Sequence, residues 1–287
     1  MESKEFQKKQ QFFFDSWAKR HSKKLREKVN LDKWDKFIWQ YNSYYFEDRV
    51  VDVFNEILKQ KPGIIRVLDV GCGDGDFSFL LKRTQPSLQI TGVDISSERI
   101  KRAKKDLKEK NFSDITFQIA NAEKLPFRGG TFDAVLSINL LHHVAGFKVL
   151  DEVARVLKKN GFFLLIDLTS DNPIIESVRR VWNFLPLKIK KIDTNDLTVN
   201  GEIPEKRHFS GRKLLEEIKT RNFKICLVRR GHLFFFLFVW GVKVFPIIRK
   251  VFPLGFLEKI KKIERKMLNQ TFFHQFSHII EIQAMKQ

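Results

Sequence analysis

The sequence predicts an α/β fold built on a doubly wound, largely parallel β-sheet. Between residues 64 and 168, short apolar runs alternate with amphipathic segments, which is the pattern of repeated βαβ units. A glycine-rich turn connects the first apolar run to the segment that follows it. The composition is that of a folded chain, because 43% of the 287 residues are hydrophobic and can form a sizeable core.

The first half of this pattern contains three strands and two helices. The strands are the apolar runs Ile64–Val70, Gln89–Val93 and Ile115–Ile119, which are typical of buried strands in a parallel sheet. The helices are Asp76–Arg83 and Ser96–Lys110, the second of which has a strongly polar face.

The second half contains two more strands and the helix between them. We expect a strand at Phe132–Ile138, a helix at Phe147–Lys158 and a strand at Phe162–Leu168, with Lys159-Asn160-Gly161 ending the helix. Ligands of open parallel sheets bind at the carboxyl ends of the strands. Residues that bind a ligand are therefore expected just after the first four strands.

The glycine-rich turn follows the first strand directly. Asp69 lies at the end of that strand, and Gly71, Gly73 and Gly75 alternate with other residues up to the next helix. Glycine permits positive φ angles and lets a ligand approach the backbone closely. The turn is therefore a candidate ligand-binding loop.

The known phosphate-binding fingerprints do not fit this loop. The dinucleotide pattern requires a glycine where Asp76 stands, and the Gly-Lys-Ser/Thr of a P-loop is absent. Asp74 and Asp76 would repel a pyrophosphate group. An acidic glycine loop instead favours a ligand with a positively charged end.

The net charge of +19 predicts an anionic partner, which is nucleic acid, an anionic membrane surface or an acidic substrate. A lysine-rich solvated surface explains the charge equally well. The two cysteines, Cys72 and Cys226, form neither a disulfide framework nor a metal cluster, and no metal site is expected. The first ten residues lack the apolar core of a signal peptide, so we expect a cytoplasmic protein.

Five segments, in order between Arg66 and Leu168, resemble the motifs of class I S-adenosylmethionine (SAM)-dependent methyltransferases that act on small molecules or lipids. The segments are VLDVGCGDG, ITGVDIS, FQIANAEKLPF, FDAVLSINLLHHV and VLDEVARVLKKNGFFLLIDL. The resemblance implies a Rossmann-like methyltransferase fold with a seven-stranded, mostly parallel sheet, and it implies SAM as cofactor.

The resemblance also assigns roles to individual positions. The acid of the first strand and the glycine loop would hold the methionine end of SAM, the acid after the second strand would bind both ribose hydroxyls, and the third motif would lie at the adenine edge. Many relatives have aspartate where Asn121 stands, so we expect weaker adenine recognition here. The residues expected to bind the cofactor are Asp69, Gly71, Cys72, Gly73, Gly75, Asp94, Ile95, Asn121, Ala122, Glu123 and Asn139.

Methyl transfer from a sulfonium depends mainly on positioning and desolvation. A general base is needed only where the acceptor carries a proton of high pKa. His142 and His143, after the fourth strand, are the candidate catalytic residues. The alternative is that one or both pack at the end of the strand.

The regions before and after the core (61–168) are expected to select the acceptor. Residues 1–60 contain three of the five tryptophans and all three tyrosines, and related methyltransferases use such a segment as a helical lid. Aromatic packing on the domain surface is the alternative. Residues 169–222 are predicted to form a substrate-covering insertion, including a helix at Ser210–Thr220 with Ser210 as N-cap.

The last region, 223–287, is predicted to contain strand six at Phe223–Arg229 and strand seven at Ser277–Met285, with an insertion at 231–268 between them. The insertion joins an uncharged aromatic run, too short to span a bilayer, to a basic amphipathic helix. This pattern favours a segment lying in a membrane interface. A buried hairpin or a dimer contact is the alternative.

The sequence therefore predicts a SAM-dependent methyltransferase that acts on a small or lipid-like apolar acceptor, on O, C or N. We expect it to be cytoplasmic and peripheral on the inner face of the membrane. The alternatives are an RNA methyltransferase and a non-catalytic SAM-binding protein. Nucleic acid is disfavoured, because Ser137-Ile-Asn-Leu-Leu replaces the Asn/Asp-Pro-Pro-aromatic motif of many base-methylating relatives.

Overall fold

The computed structural model describes residues 7–16, 49–61, 63, 65–144, 146–171, 209–231 and 279–287, and the single residues 177, 259, 263 and 267. Two helical stretches, 7–16 (α1) and 49–60 (α2), precede the sheet. The elements that follow are β1 (Ile65–Val70), α3 (Asp76–Thr84), β2 (Leu88–Asp94), α4 (Ser97–Lys110), β3 (Ile115–Ile119), β4 (Phe132–Ile138), a 3-10 turn (Leu141–His143), α5 (Lys148–Val156), β5 (Leu157–Leu168), α6 (Gly211–Lys219), β6 (Phe223–Gly231) and β7 (Ile279–Lys286).

The strands form one seven-stranded sheet in the order β3-β2-β1-β4-β5-β7-β6. Strands β1 to β5 are parallel to one another, whereas β7 is antiparallel to both β5 and β6. The predicted doubly wound sheet is confirmed. The order reverses between β1 and β4, which is the point where such sheets bind ligands.

Two apolar layers cover the sheet. On one face, α2, α3 and α4 contribute buried side chains such as Phe54, Leu81 and Ile100. On the other face, α5 and α6 contribute buried side chains such as Val153 and Ile218. Because both faces are covered, the central strands are mostly apolar, which is why their runs could be identified from the sequence.

Two predicted boundaries, at the junction of α5 and β5, are wrong. The helix expected to reach Lys158 ends at Val156, and the fifth strand begins at Leu157 rather than Phe162. Leu157 is buried and extended and pairs with Phe132 of β4, with a register shift before the ladder resumes. The burial and strand pairing of Leu157 override the local helix signal.

Several predictions lie outside the described residues. These are the tryptophans and tyrosines of the predicted lid, residues 172–176 and 178–208 of the insertion predicted at 169–222, almost all of the insertion at 231–268, and residues 277–278 of strand seven. Within the described ranges, no helix is both long enough and apolar enough to cross a bilayer. The predicted helix after Ser210 is confirmed, since the Ser210 side chain accepts the Lys213 N–H.

Candidate functional site

A cavity of about 280 Å³ lies where the strand order reverses. Its walls come from the segments after β1, β2, β3 and β4 and from helix α1. Of the residues predicted to bind the cofactor, those that line it are Asp69, Gly71, Cys72, Asp94, Ile95, Asn121, Ala122, Glu123 and Asn139. The sheet therefore brings four separate sequence motifs to one place.

The three glycines of the loop all have positive φ, but they do different things. Only Gly71 lines the cavity, and a Cβ added there would lie 3.0 Å from Leu140. A Cβ on Gly73 would lie 2.0 Å from the Arg99 guanidinium. The loop therefore needs glycine for its own packing as much as for approach by a ligand.

Asp69 forms part of the cavity wall as an almost completely buried carboxyl group. It accepts a hydrogen bond from Ser78 Oγ at 2.7 Å. Burial, together with the nearby charges of Asp94 and Asp76, raises the pKa of Asp69 to about 7, against the opposing effects of Ser78 and Arg99. A cationic ligand group placed beside it would favour the ionised form.

Asp94 is held rigidly at the end of β2. Its Oδ2 accepts the Gly73 N–H at 2.9 Å, and its Oδ1 accepts the Ser96 N–H at 2.9 Å. A carboxylate oxygen can accept a second hydrogen bond, so each oxygen retains capacity toward the cavity. Two adjacent hydroxyl groups suit this arrangement.

Arg99 is a cavity residue that the sequence did not identify. Its Nη1 lies 3.9 Å from Asp94 Oδ2, and its Nε lies 3.6 Å from Asp74 Oδ1. Asp74 also accepts two hydrogen bonds from Arg102 Nη2, at 2.8 and 3.1 Å. Two arginines of α4 thereby bind the glycine loop, which explains why Asp74 is not a cavity residue while Asp76 is.

Asn121 forms a tight turn at the cavity wall. Its Oδ1 accepts the Glu123 N–H at 2.9 Å, and its backbone oxygen accepts the Lys124 N–H at 3.0 Å. The side-chain oxygen of Asn121, at the predicted adenine edge, therefore already holds the turn. Its second lone pair is the acceptor that a ligand would use.

The two candidate histidines lie in different environments. His143 lines the cavity, and its ring packs edge-on against Phe14 at 5.0 Å between ring centroids. His142 is buried, and its Nδ1 lies 2.6 Å from Asp167 Oδ1. Asp167 Oδ2 also accepts the Leu141 N–H at 2.7 Å, so the pair holds the turn that presents His143.

Helix α1 forms the remaining wall. Gln7, Gln10 and Phe14, at helical spacing, line the cavity, and the Gln7 amide donates to Glu123 Oε2. Gln10 is 6% exposed, and its Oε1 has no hydrogen-bond partner among the described residues. Sequence reasoning focused on the aromatic residues of this region and missed these glutamines, although their spacing on one helix face was visible.

Asp15 anchors α1 to the start of α4. Its Oδ1 accepts hydrogen bonds from Ser96 Oγ at 2.5 Å and from the Glu98 N–H at 3.1 Å. Its Oδ2 accepts from Ser97 Oγ at 3.3 Å. A carboxylate at a helix N-terminus is favourable, because free N–H groups and the helix dipole converge there.

The chemistry of the cavity suits one type of ligand. It offers a buried carboxyl for an ammonium group, a fixed carboxylate for vicinal hydroxyls and amide or backbone groups for a planar base. It also has apolar side chains, including Phe77, Leu140 and Val144. These features fit the amino-acid, ribose and adenine parts of SAM.

Comparison with known proteins agrees with this fit. A family model described as a methyltransferase domain matches residues 63–214, just over half of the chain. The crystal structure of the YcgJ protein from Bacillus subtilis has the same fold, with a TM-score of 0.52 and 20% identity. The match covers 84% of this chain and 99% of that one.

Two curated relatives are more similar in sequence. The chain is 40% identical over 109 residues to the ubiquinone/menaquinone biosynthesis C-methyltransferase UbiE of Desulfotalea psychrophila, covering 38% of this chain and 43% of the relative. It is 40% identical over 103 residues to a fatty-acid O-methyltransferase of Mycolicibacterium smegmatis, covering 36% of each. The matches therefore span less than half the length of these relatives.

Proposed function

Because this chain belongs to the class I SAM-dependent methyltransferase family, we propose that it methylates a small or lipid-like apolar acceptor at a membrane surface. SAM is the cofactor of this family. The observation that carries the proposal is a single cavity lined both by the carboxyl groups of Asp69 and Asp94 and by apolar side chains such as Leu140 and Val144. Two of its relatives are named for quinone biosynthesis and fatty-acid methylation.

The polar residues that line the cavity orient the cofactor. Asp69 binds its ammonium, Asp94 its ribose hydroxyls, and Ile95 and Asn121 its adenine. When bound, SAM supplies a methyl group that its sulfonium has already activated. The protein's contribution is to align the acceptor and to exclude water, since such transfers depend on positioning and desolvation.

The apolar residues that line the cavity accommodate the acceptor. Phe14, Leu140 and Val144 line the cavity near His143. Burial of an acyl or prenyl-like group among them is favourable by about 25 cal/mol per Å². For an acceptor hydroxyl, His143 takes the proton, while the buried pair of His142 and Asp167 maintains the turn that carries it.

The membrane location is supported by charge and by sequence pattern. The net charge of +19 favours an anionic leaflet, and the insertion 231–268 combines aromatic and basic residues. We place the protein in the cytoplasm, peripheral on the inner face of the membrane.

The test is methylation of total lipid extract and of total RNA with methyl-labelled SAM. We expect label in the organic phase with the wild-type protein, and less label with Asp94→Ala at SAM concentrations below the weakened Kd of that variant. Label in RNA, or no transfer by protein whose SAM binding is verified by calorimetry, contradicts the proposal.

A further inference from the structure

Helix α4 carries a row of exposed lysines on one side. Lys101, Lys104, Lys105 and Lys108 are spaced by three and four residues, so they lie on the same face of the helix. Together with Ile119 at the end of β3, they line an open groove of about 410 Å³. We call these four lysines and Ile119 the α4 surface.

Carboxylates of the described residues compensate few of the charges of this surface. Lys105 lies 3.6 Å from Glu109 Oε1. Among the described residues, no carboxylate lies within ion-pair distance of Lys101, Lys104 or Lys108. The other basic side chains of α4 are used differently, because Arg99 and Arg102 turn toward Asp74 and the glycine loop. The helix thus has one basic side that serves the cofactor site and one that faces solvent.

The α4 surface also exposes apolar residues. Large hydrophobic side chains that are highly exposed among the described residues are Phe12 at 59%, Ile119 at 56% and Ile263 at 57%. Ile119 belongs to the α4 surface. Phe12 lies one helical turn before Asp15, which bonds to Ser97 at the end of the same groove. Exposed apolar side chains beside unpaired lysines are the features of a membrane-contacting surface.

We propose that the α4 surface binds an anionic lipid bilayer, with its lysines at the headgroups and Ile119 and Phe12 in the interface. Charge complementarity supports this occupant, since each basic residue near an anionic leaflet contributes separately to binding. Nucleic acid fits less well, because a duplex or single strand provides no apolar layer in which Ile119 could be buried. The lysine stems also extend along apolar surface while their ammonium groups stay in water.

A bilayer bound to the α4 surface would affect how an acceptor reaches the cofactor cavity. Ile119 is followed directly by Ala120 and Asn121, and both of these line the cofactor cavity. A bilayer on the α4 surface therefore lies beside the cavity wall, which shortens the path of a lipid-like acceptor. This use of the surface rests on the proposed function, but vesicle binding can be measured without any acceptor.

The experiment measures co-sedimentation of the full chain with vesicles of phosphatidylcholine plus phosphatidylglycerol, and with phosphatidylcholine alone. The test variant is Lys101→Gln/Lys104→Gln/Lys108→Gln. The control is Lys159→Gln/Lys219→Gln/Lys224→Gln, which removes the same charge from exposed sites away from α4. A third variant, Lys259→Gln/Lys261→Gln/Lys262→Gln, tests the insertion. Calorimetric SAM binding verifies that each variant is folded.

Wild-type protein should bind the anionic vesicles, less at high salt, and bind phosphatidylcholine alone weakly. The α4 variant should bind about 100-fold more weakly, because each lysine contributes roughly fivefold. Ile119→Ser should weaken binding to the anionic vesicles about 10-fold. The control variant should lose clearly less vesicle affinity than the α4 variant.

Equal losses in the α4 and control variants would overturn the proposal, as would wild-type binding by the α4 variant. Binding to polyuridylate, a single-stranded RNA, is measured as well. If the α4 variant loses binding to polyuridylate but keeps wild-type binding to vesicles, the proposal is overturned in favour of nucleic acid. If only the third variant loses vesicle binding, the α4 surface does not bind the bilayer, whereas the proposed membrane location of the protein is supported. If the α4 variant loses vesicle binding but the wild-type protein methylates no lipid, the proposal of a lipid-like acceptor is wrong, whereas the proposal that the α4 surface binds the bilayer is supported.

Discussion

Gly73 donates its backbone N–H to Asp94 Oδ2 at 2.9 Å, which joins the glycine loop after β1 to the end of β2. The same carboxylate accepts the Ser96 N–H and thereby sets the start of α4. One side chain thus organises both segments that border the predicted ribose site. Mutations of Asp94 should affect the shape of the site as well as its contacts.

Asp94→Ala should weaken SAM binding by about 1–3 kcal/mol, because hydrogen bonds to a charged acceptor are lost and the loop is released. Calorimetry measures the affinity, and thermal unfolding shows whether the fold survives. Asp106→Ala, at a solvent-exposed position of α4, should bind SAM normally. Unchanged affinity in Asp94→Ala would show that β2 does not carry the ribose contact.

SAM affinity should increase as the pH rises through about 7. The Asp69 pKa is raised to about 7, mainly by burial, so the carboxyl is neutral below that pH and binds an ammonium weakly. Binding should release a proton, which calorimetry in buffers of different ionisation enthalpy detects. Asp69→Asn should remove both the pH dependence and the proton release.

The same pKa shift predicts an effect on stability with the opposite sign. A carboxyl whose folded pKa exceeds its unfolded value binds more protons in the folded state between the two pKa values. Its contribution to the free energy of unfolding therefore falls from about pH 4 to pH 7. Denaturant unfolding of the ligand-free protein should show this fall, and Asp69→Asn should reduce it. If the free energy of unfolding of Asp69→Asn depended on pH as strongly as that of the wild type, the raised pKa would not belong to Asp69.

Asn121→Asp should keep or improve SAM affinity. One carboxylate oxygen can accept the Glu123 N–H as the amide oxygen does, and the second offers a stronger acceptor than an amide. Asn121→Ala, which lacks both functions, should bind more weakly than either. A large loss in Asn121→Asp, measured by calorimetry, would mean that the amide of Asn121 donates a hydrogen bond to the ligand.

Gln10→Met should leave the ligand-free protein as stable as wild type or more so. The buried Gln10 Oε1 has no partner among the described residues, and leaving such a group unsatisfied costs about 1–3 kcal/mol. The increase in melting temperature on adding SAM should be smaller in this variant if the ligand supplies the missing donor. Gln11→Met, on the same helix, should respond to SAM as wild type does. Equal SAM responses in both variants would show that Gln10 does not contact the ligand.

Asp15→Asn should loosen α1 without unfolding the domain. Its carboxylate accepts three hydrogen bonds at the start of α4, and loss of the charge also removes a favourable helix-dipole interaction of about 0.3–1 kcal/mol. Hydrogen exchange at amides 7–16 should become faster and SAM affinity lower. Asp52→Asn, an exposed carboxylate in α2, should change neither. Exchange at wild-type rates would show that α1 is held by other contacts.

The central elements were predictable because the sequence alone determines their pattern. Strands such as Phe132–Ile138 are buried on both faces, so most of their positions are apolar, and the helices between them are amphipathic. The positions of Asp69 and Asp94 followed from the same logic, since each lies at the carboxyl end of a parallel strand. The family motifs then identified the ligand that such positions serve.

Only the tertiary structure decided which of these residues meet, and which others join them. Helices α1 and α4 contribute Gln10, Phe14 and Arg99 to the cavity lining. A sequence shows that residues share a helix face, but it does not show which distant segment that face contacts. The different environments of His142 and His143 likewise depend on Asp167, which lies 25 positions after His142 in the chain but within hydrogen-bonding distance of it. Local periodicity determines the elements, whereas packing between them determines the composition of the site.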